Sequence, residues 1–391
     1  MRPEMRMARY VAGLERYRAG SLSCVSAADL LGISERHFRR LRDRYEAEGA
    51  EGLIDRRRGK ASGRRVPVDK IEWVLDQFMT RYFDFTAKHF HEALRAEKPS
   101  FTLSYTWTKS LLQQRGLIGI ARGRSAHRKK RVRKPLPGMM LFQDGSTHAW
   151  LAGHGDLDLI ATLDDATSEV TSLFLVEQEG TASSFRGLAE TIASKGLFCS
   201  FYTDRGSHYF WTPKAGEKVD KTHLTQVGRA LAELSITHIP SYSPEGRGRM
   251  ERLWGTLQLR LPPVLRLKGI TTVEAANRFL AETYLAEHNK RFAVAAAEEG
   301  SAFVPFVGDL ANILCAKHER VVGNDNCVRF EGRTLQIPEQ RHRRHYVKVT
   351  THVHEYPDGA LAVFHGPRRL ADYTAAGALV TREVPSTQSA A

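Results

Sequence analysis

Asp144 closes an apolar run, Met139-Met-Leu-Phe-Gln-Asp144, and Asp204 closes another that begins at Leu197. Glu251 follows a glycine-punctuated stretch, Ser243-Pro-Glu-Gly-Arg-Gly-Arg-Met-Glu251. Acids at the ends of buried strands are costly unless something positive holds them. Gathered at one point, three carboxylates repel one another and bind hard cations well. Oxygen donors with room for water and phosphate oxygens favour Mg2+ or Mn2+. Two such ions, about 3.5–4 Å apart, activate a water or sugar hydroxyl and stabilise the leaving oxygen of an in-line displacement at phosphorus. No protein nucleophile is needed.

The surrounding pattern predicts the elements that must bring these acids together. Strands are expected over 139–144, 157–163, 170–176, 197–203 and 236–239, with helices over 183–195 and around 224–234 and a long helix carrying Glu251 near its start. Three hairpin strands followed by alternating helices and strands make a mixed α/β sheet covered by helices. Asp164 and Asp165 fall in a turn and read as caps or a loop pair rather than ligands. Glu245 is a weaker candidate than Glu251. His208 and His238 read as a surface and a strand histidine, and Trp254 reads as core. A polar insert covers 208–221. Beyond a helix over 273–288, strands are expected at 328–330, 346–350 and 360–364, with a hairpin turn at Pro357-Asp-Gly. Cys315, Cys327, His318, His352 and His354 match no common zinc spacing.

Upstream, Tyr10, Val11, Leu14 and Tyr17 recur at helical spacing. Ser26 and Ser34 are the expected caps of two short helices separated by Gly32, which together read as a helix-turn-helix. Ile33, Phe38, Leu41 and Tyr45 face its core, leaving Arg36, Arg39, Arg40 and Arg44 outside on a basic second helix suited to the major groove. A basic linker holds Arg56, Arg57 and Arg58. A second trio follows, marked by Val68, Ile71, Leu75, Phe78 and Tyr82, then by Phe90, Ala93 and Leu94. The third helix, capped by Ser104, carries Trp107, Leu111 and Leu112 inward and Tyr105, Lys109 and Gln113 outward.

Charge points the same way. Lysine and arginine number 58 against 44 acids among 391 residues, a formal net charge of +14. Between Lys98 and Gln143 there are 11 basic residues and no acid, with Arg128, Lys129, Lys130 and Arg131 at the densest point. Such a run meets phosphate. Four dispersed cysteines build no disulfide scaffold. No apolar run approaches about 20 residues, and no secretory leader is expected, so no membrane partner is predicted.

The segment 138–292 resembles the retroviral-integrase-type catalytic core of bacterial insertion-sequence transposases, the Asp-Asp-Glu superfamily on a ribonuclease H-like fold. The match rests on Ser243-Pro-Glu-Gly-Arg-Gly-Arg-Met-Glu251, Thr203-Asp-Arg-Gly-Ser207, Phe142-Gln-Asp144 and His288-Asn-Lys-Arg291. The resemblance implies that Asp144, Asp204 and Glu251 ligate two Mg2+ (or Mn2+) ions per active site. It also implies tandem helix-turn-helix units in front and a small β-barrel-like domain behind. Here 46 residues separate Asp204 from Glu251, more than in many relatives, and the excess falls in the polar insert.

The expected organisation is therefore a helix-turn-helix domain (1–55), a basic linker (56–66), a second helix-turn-helix or winged-helix-like domain (67–118), a basic linker (119–137), an α/β ribonuclease H-like core (138–300), a small β-rich domain (301–375) and a disordered tail (376–391). Arg247 and Arg249 are expected to meet phosphate. The expected partners are double-stranded DNA, as terminal inverted repeats and as target, and further copies of the chain on that DNA. The expected location is a bacterial cytoplasm, at the nucleoid. The competing readings are a non-catalytic DNA-binding regulator and a ribonuclease H-like nuclease.

Overall fold

The structure, a computed structural model, describes residues 3–54, 65–120, 131–214, 217–220, 222–242, 244–340 and 342–380. The linker residues Arg56, Arg57, Arg58, Arg128, Lys129 and Lys130 lie outside these, as do the side chains of Glu245 and Arg247. The chain divides into two compact units, 1–76 and 77–391.

The first unit opens with α1 (Pro3–Arg18), α2 (Cys24–Leu31) and α3 (Glu35–Glu48). Leu14, Ala27, Ala28, Leu31, Phe38 and Leu41 form its core. Gly32 ends α2 in the left-handed region at φ +66, and Ser34 caps α3 by accepting from the His37 amide. The cap of α2 is Ser23, not the expected Ser26, whose amide donates to it at 3.1 Å. Arg36, Arg39 and Arg40 are exposed on α3. Arg44 is drawn back onto the fold, donating to the Ile54 carbonyl at 2.8 Å.

The division between the units falls within α4 (Val68–Thr80), which is followed by α5 (Ala87–Glu97) and α6 (Tyr105–Gln114). Val68, expected in a core, is exposed, and Val74 is buried on the same helix. Ser104 caps α6 as its spacing predicts. Tyr105 and Lys109 are half-buried rather than fully outward.

The central sheet contains β1 (Leu141–His148), β2 (Leu157–Asp164), β3 (Val170–Val176), β4 (Ser200–Thr203) and β5 (Thr237–Pro240), in the order β3-β2-β1-β4-β5. The first three pair antiparallel, while β4 runs parallel to β1 and β5 parallel to β4. Its helices are α7 (Thr181–Lys195), α8 (Gln226–Glu233), α9 (Pro244–Leu267) and α10 (Val273–Phe279), then a π-helical turn and α11 (Leu285–Phe292). One face packs Phe142, Leu159 and Leu173 against Leu253, Leu257 and Leu261 of α9. The other packs Leu141 and Phe201 against Phe185 and Leu188 of α7 and Val227 and Leu231 of α8. Burial on both faces explains the nearly continuous apolar strands. This is the mixed α/β core that the pattern predicts.

Strand β4 begins at Ser200 rather than at the expected Leu197, and two further differences bear on the acids. β1 continues past Asp144 because β2 keeps pairing with it, from Gly145 opposite Ile160 to His148 opposite Leu157. Helix α9 starts at Pro244, so the glycine-rich stretch is helical and Glu251 lies further along the helix than a turn-then-helix reading places it. Proline suits a first helical position, where its missing N–H is no loss.

The helical trio is not a separate unit from residue 77 onward. Glu92 of α5 accepts from Arg260 of α9 at 2.9 Å and from Arg291 of α11 at 2.8 Å, and Asp84 receives both arms of Arg266. The core also extends past residue 300, since Phe303, Phe306 and Leu314 pack with the α7–α8 face.

The β-rich end contains β6 (Ala316–Val321), β7 (Cys327–Phe330), β8 (Arg333–Gln336), β9 (Thr350–Glu355), β10 (Leu361–His365), β11 (Arg368–Tyr373) and β12 (Leu379–Val380). They form an open sheet, β12-β11-β10-β9-β6, and a β7–β8 hairpin. No sheet closes among the described residues, so the barrel expectation reduces to this open sheet. The strand expected at 346–350 begins only at Thr350, because Lys348 sits at φ +59 and breaks the run. Gly359 at φ +81 makes the expected turn between β9 and β10. The tail expected to be disordered from 376 is paired as far as Val380, which lies opposite Asp372.

The His288-Asn-Lys-Arg291 motif has a structural role. Asn289 donates to and accepts from the Val170 backbone, at 2.8 Å each way, and Asn277 does the same at Leu175. His288 is buried, and desolvation lowers its pKa from 6.5 to about 4, with Arg260 and Arg291 pushing the same way. The native state therefore resists a proton that the unfolded chain accepts. This stability is complete above the unfolded value of 6.5 and is lost as pH falls toward 4. His288 alone makes unfolding about 2 kcal/mol easier at pH 5 than at pH 7. Urea titrations at the two pH values check this, and a His288→Gln chain should lose that share of the pH dependence. No helix of the described residues is long and apolar enough to cross a membrane.

Candidate active site

Strands β1 and β4 pair in parallel through Leu141 with Phe201 and Phe142 with Tyr202. Two residues further along this register, Asp144 comes level with Asp204. Asp144 is 8% exposed on the α9 face. Asp204 lies just beyond β4, where the parallel pairing has ended, and its Oδ1 accepts from the Gly206 amide at 2.9 Å.

The third acid is tied in through its helix. Trp254 of α9 donates its indole Nε1–H to Asp144 Oδ2 at 3.0 Å. Trp254 and Met250 are buried against the sheet, while Glu251 is exposed. Sequence reasoning took Trp254 for plain core, but it is also the bond between the Glu251 helix and Asp144. Its place three residues after Glu251, one helical turn on, is the signal that marks it. Among the described residues, no three histidine, cysteine or acidic side chains are gathered closely enough to hold one ion. The donor set itself is of the right chemistry: three carboxylates and no sulfur or imidazole, as a hard divalent cation requires.

Two neighbours escaped the sequence. Tyr209 is buried and donates to Gln143 Oε1 at 2.8 Å. Burial holds its phenol well above the ordinary range, and the carboxylates of Glu179, Asp204 and Asp144 add to the rise. Glu179 is thus a further acid close to the pair. It lies against Gly145, where an added Cβ would come within 2.4 Å of its carboxylate, and it faces His208 Nε2 at 3.6 Å. Gly145 follows Asp144 directly, so a side chain there would collide with the site's wall. His238 stacks on Phe210 and meets Thr203 at 3.0 Å, in keeping with a strand histidine.

Asp164 closes β2 and caps the turn that Asp165 begins, in keeping with a cap or loop pair rather than ligands. Asp164 accepts from the amides of Gly138 and Thr167, each at 2.8 Å. Asp165 is fully buried and binds Arg131 and Arg249, the latter at 2.5 Å. Both arginines were expected to meet phosphate; here they are engaged by a carboxylate that lies far away in sequence. Of the four arginines expected outside on α3, Arg36, Arg39 and Arg40 are exposed, with Arg39 paired to Glu35 at 3.0 Å.

The winged helix-turn helix family model matches residues 9–67. The Sinorhizobium fredii protein named "Putative transposase y4bF" is 32% identical over 348 residues, 88% of this chain and 75% of that protein. The transposase for insertion sequence IS1202 of Streptococcus pneumoniae is 26% identical over 82% of this chain and 76% of its own length. Among solved structures, the chain is similar to the simian T-cell lymphotropic virus intasome in complex with PP2A regulatory subunit B56 gamma, at 15% identity, 71% of this chain, 91% of that one and a TM-score of 0.34. It is also similar to the HTLV-2 integrase catalytic core domain in complex with magnesium, at 17% identity, 37% of this chain, 83% of that one and a TM-score of 0.28. The chain belongs to the transposase family that the first two proteins represent.

Proposed function

We propose that this chain is a DNA transposase that binds the terminal inverted repeats of its element, cleaves beside them and joins the free 3′ ends to target DNA. The observation that carries this reading is the parallel β1–β4 register, which brings Asp144 level with Asp204, together with the Trp254 bond that attaches the Glu251 helix to Asp144. On this reading Asp144, Asp204 and Glu251 hold Mg2+ or Mn2+, two ions per site, on a ribonuclease H-like core. The cations supply Lewis acidity for attack of water or a 3′-hydroxyl on a phosphodiester. The protein's own groups do the placing. Trp254 orients the Asp144 carboxylate, the Gly206 amide orients that of Asp204, and α9, tied to Asp144 by the same indole, carries Glu251.

Arg36, Arg39 and Arg40 meet the element end through α3, in the manner of a recognition helix. Tyr105 and Lys109 of α6 meet it at a second position, the basic connector with Arg128, Lys129 and Lys130 follows the phosphates, and Arg247 of α9 meets phosphate as well. Two ends must be held at once, so copies of the chain associate on DNA.

The test is a joining assay with a labelled element-end duplex, a target plasmid and Mg2+. The expected product is a labelled strand covalently attached to the plasmid, absent when EDTA is added. Specific binding of the end with no joining under any divalent cation would favour the regulator reading. Cleavage of an RNA–DNA hybrid in preference to the end duplex would favour the nuclease reading.

A further inference from the structure

Asp165 is an acid with no share in the proposed metal site, yet it is completely buried. Its carboxylate accepts from Arg131, from Arg249 Nη1 at 2.5 Å and from the Lys134 amide at 2.7 Å. The two arginines are joined in turn, since Arg249 Nη2 donates to the Arg131 carbonyl at 3.0 Å. Arg133 completes the junction by donating to the Asp165 and Ala166 carbonyls and to Ser168 Oγ at 2.9–3.2 Å. The Asp165 amide donates to Met140 O beside the start of β1. One carboxylate therefore collects three parts of the chain: the β2–β3 turn, the end of the basic connector and α9.

A buried charge cluster is a poor source of stability, because apolar groups fill the same space at less cost. What it fixes is geometry. Arg249 stands two residues before Glu251 on α9, about 200° away around the helix. Met250 between them is buried and Glu251 is exposed. Beyond Glu251, α9 is tied by Trp254 to Asp144, by Arg260 to Glu92 and by Arg266 to Asp84; before it, the two-armed Arg249 guanidinium, held by a carboxylate and a carbonyl, resists the small rotations that apolar contacts alone would tolerate. A carboxylate about 6 Å from the axis moves about 2 Å when the helix turns by about 20°. That is enough to take Glu251 out of a cation's reach.

We propose that Asp165 is a positioning residue for Glu251: through Arg249 it sets the rotation of the catalytic helix, and through Arg131 it ties that setting to the end of the basic connector. The proposal rests on the transposase reading above and assigns Asp165 no contact with cation or DNA.

The test uses the full chain with a labelled end duplex, in single turnover. Asp165→Asn should bind the end within about threefold of wild type yet join it about a hundredfold more slowly, the loss expected of an ångström-scale misplacement. Asp165→Glu should recover part of the rate. Arg249→Lys keeps the charge but loses the fork, and should show the same split between affinity and rate. It serves as the second variant if Asp165→Asn folds poorly in a thermal melt. Asp165→Asn combined with Arg249→Lys should be no slower than the worse single variant, because both break one linkage. Wild-type joining by Asp165→Asn and Arg249→Lys, a loss lying wholly in affinity, or losses that multiply in the double variant would each overturn the proposal while leaving the transposase reading intact. A wild-type chain that binds ends and never joins them overturns both.

Discussion

Asp204→Asn and Glu251→Gln should each lower end joining by about 10³–10⁴-fold, and the pair together should be little worse than either alone. Groups that act as one unit lose their effect when any member is removed. Affinity for the end duplex should stay near wild type, because the exposed arginines of α3, proposed above to meet it, belong to another part of the chain. Gel-shift titration and single-turnover joining, run on the same preparations, measure the two quantities separately. If either variant joined within tenfold of wild type, the assignment of that acid would fall. The same comparison for Asp144→Asn has a second reading, since the amide oxygen of the substituted side chain would still accept from Trp254 while carrying no charge toward a cation.

Trp254 has the next largest effect, and its two roles separate by substitution. Trp254→Ala removes a buried indole from the α9 face of the sheet and should cost about 3–5 kcal/mol of stability, measured by urea unfolding. Trp254→Phe keeps most of the apolar contact and removes the N–H that orients Asp144. It should leave the urea midpoint much closer to wild type while joining falls about 10–100-fold, with a higher Mg2+ requirement. Unchanged joining in a well-folded Trp254→Phe would mean that the indole contributes packing alone.

Asp144 and Asp204 stand out as candidates in the sequence because a charged residue at the end of an apolar run is costly unless it has a task. Strands β2 and β3 were legible to within a residue, since both faces are buried and their runs are apolar but for a few polar positions. The far half of β1 was not, because Gly145, Ser146 and Thr147 carry no strand periodicity and are held there by β2. The start of α9 was hidden by Gly246 and Gly248, whose local preference is for a turn. The partners of Arg131 and Arg249 were hidden by distance, since Asp165 lies 34 residues from one and 84 from the other. A run of basic residues shows its charge in sequence but not which of its members the fold has already engaged. Lys348 shows a third kind of miss, a single left-handed residue that displaces a strand whose composition is otherwise right.

Strand β3 is the outer margin of the central sheet, and an uncovered margin of this kind is a template on which another chain can add a strand. Asn277 and Asn289 occupy it with amide side chains that imitate the missing neighbour, making four hydrogen bonds to the backbone at Val170 and Leu175. That margin of the central sheet is thus closed to strand addition by another copy of the chain, and backbone-to-backbone joining through this sheet is left only its opposite margin at β5.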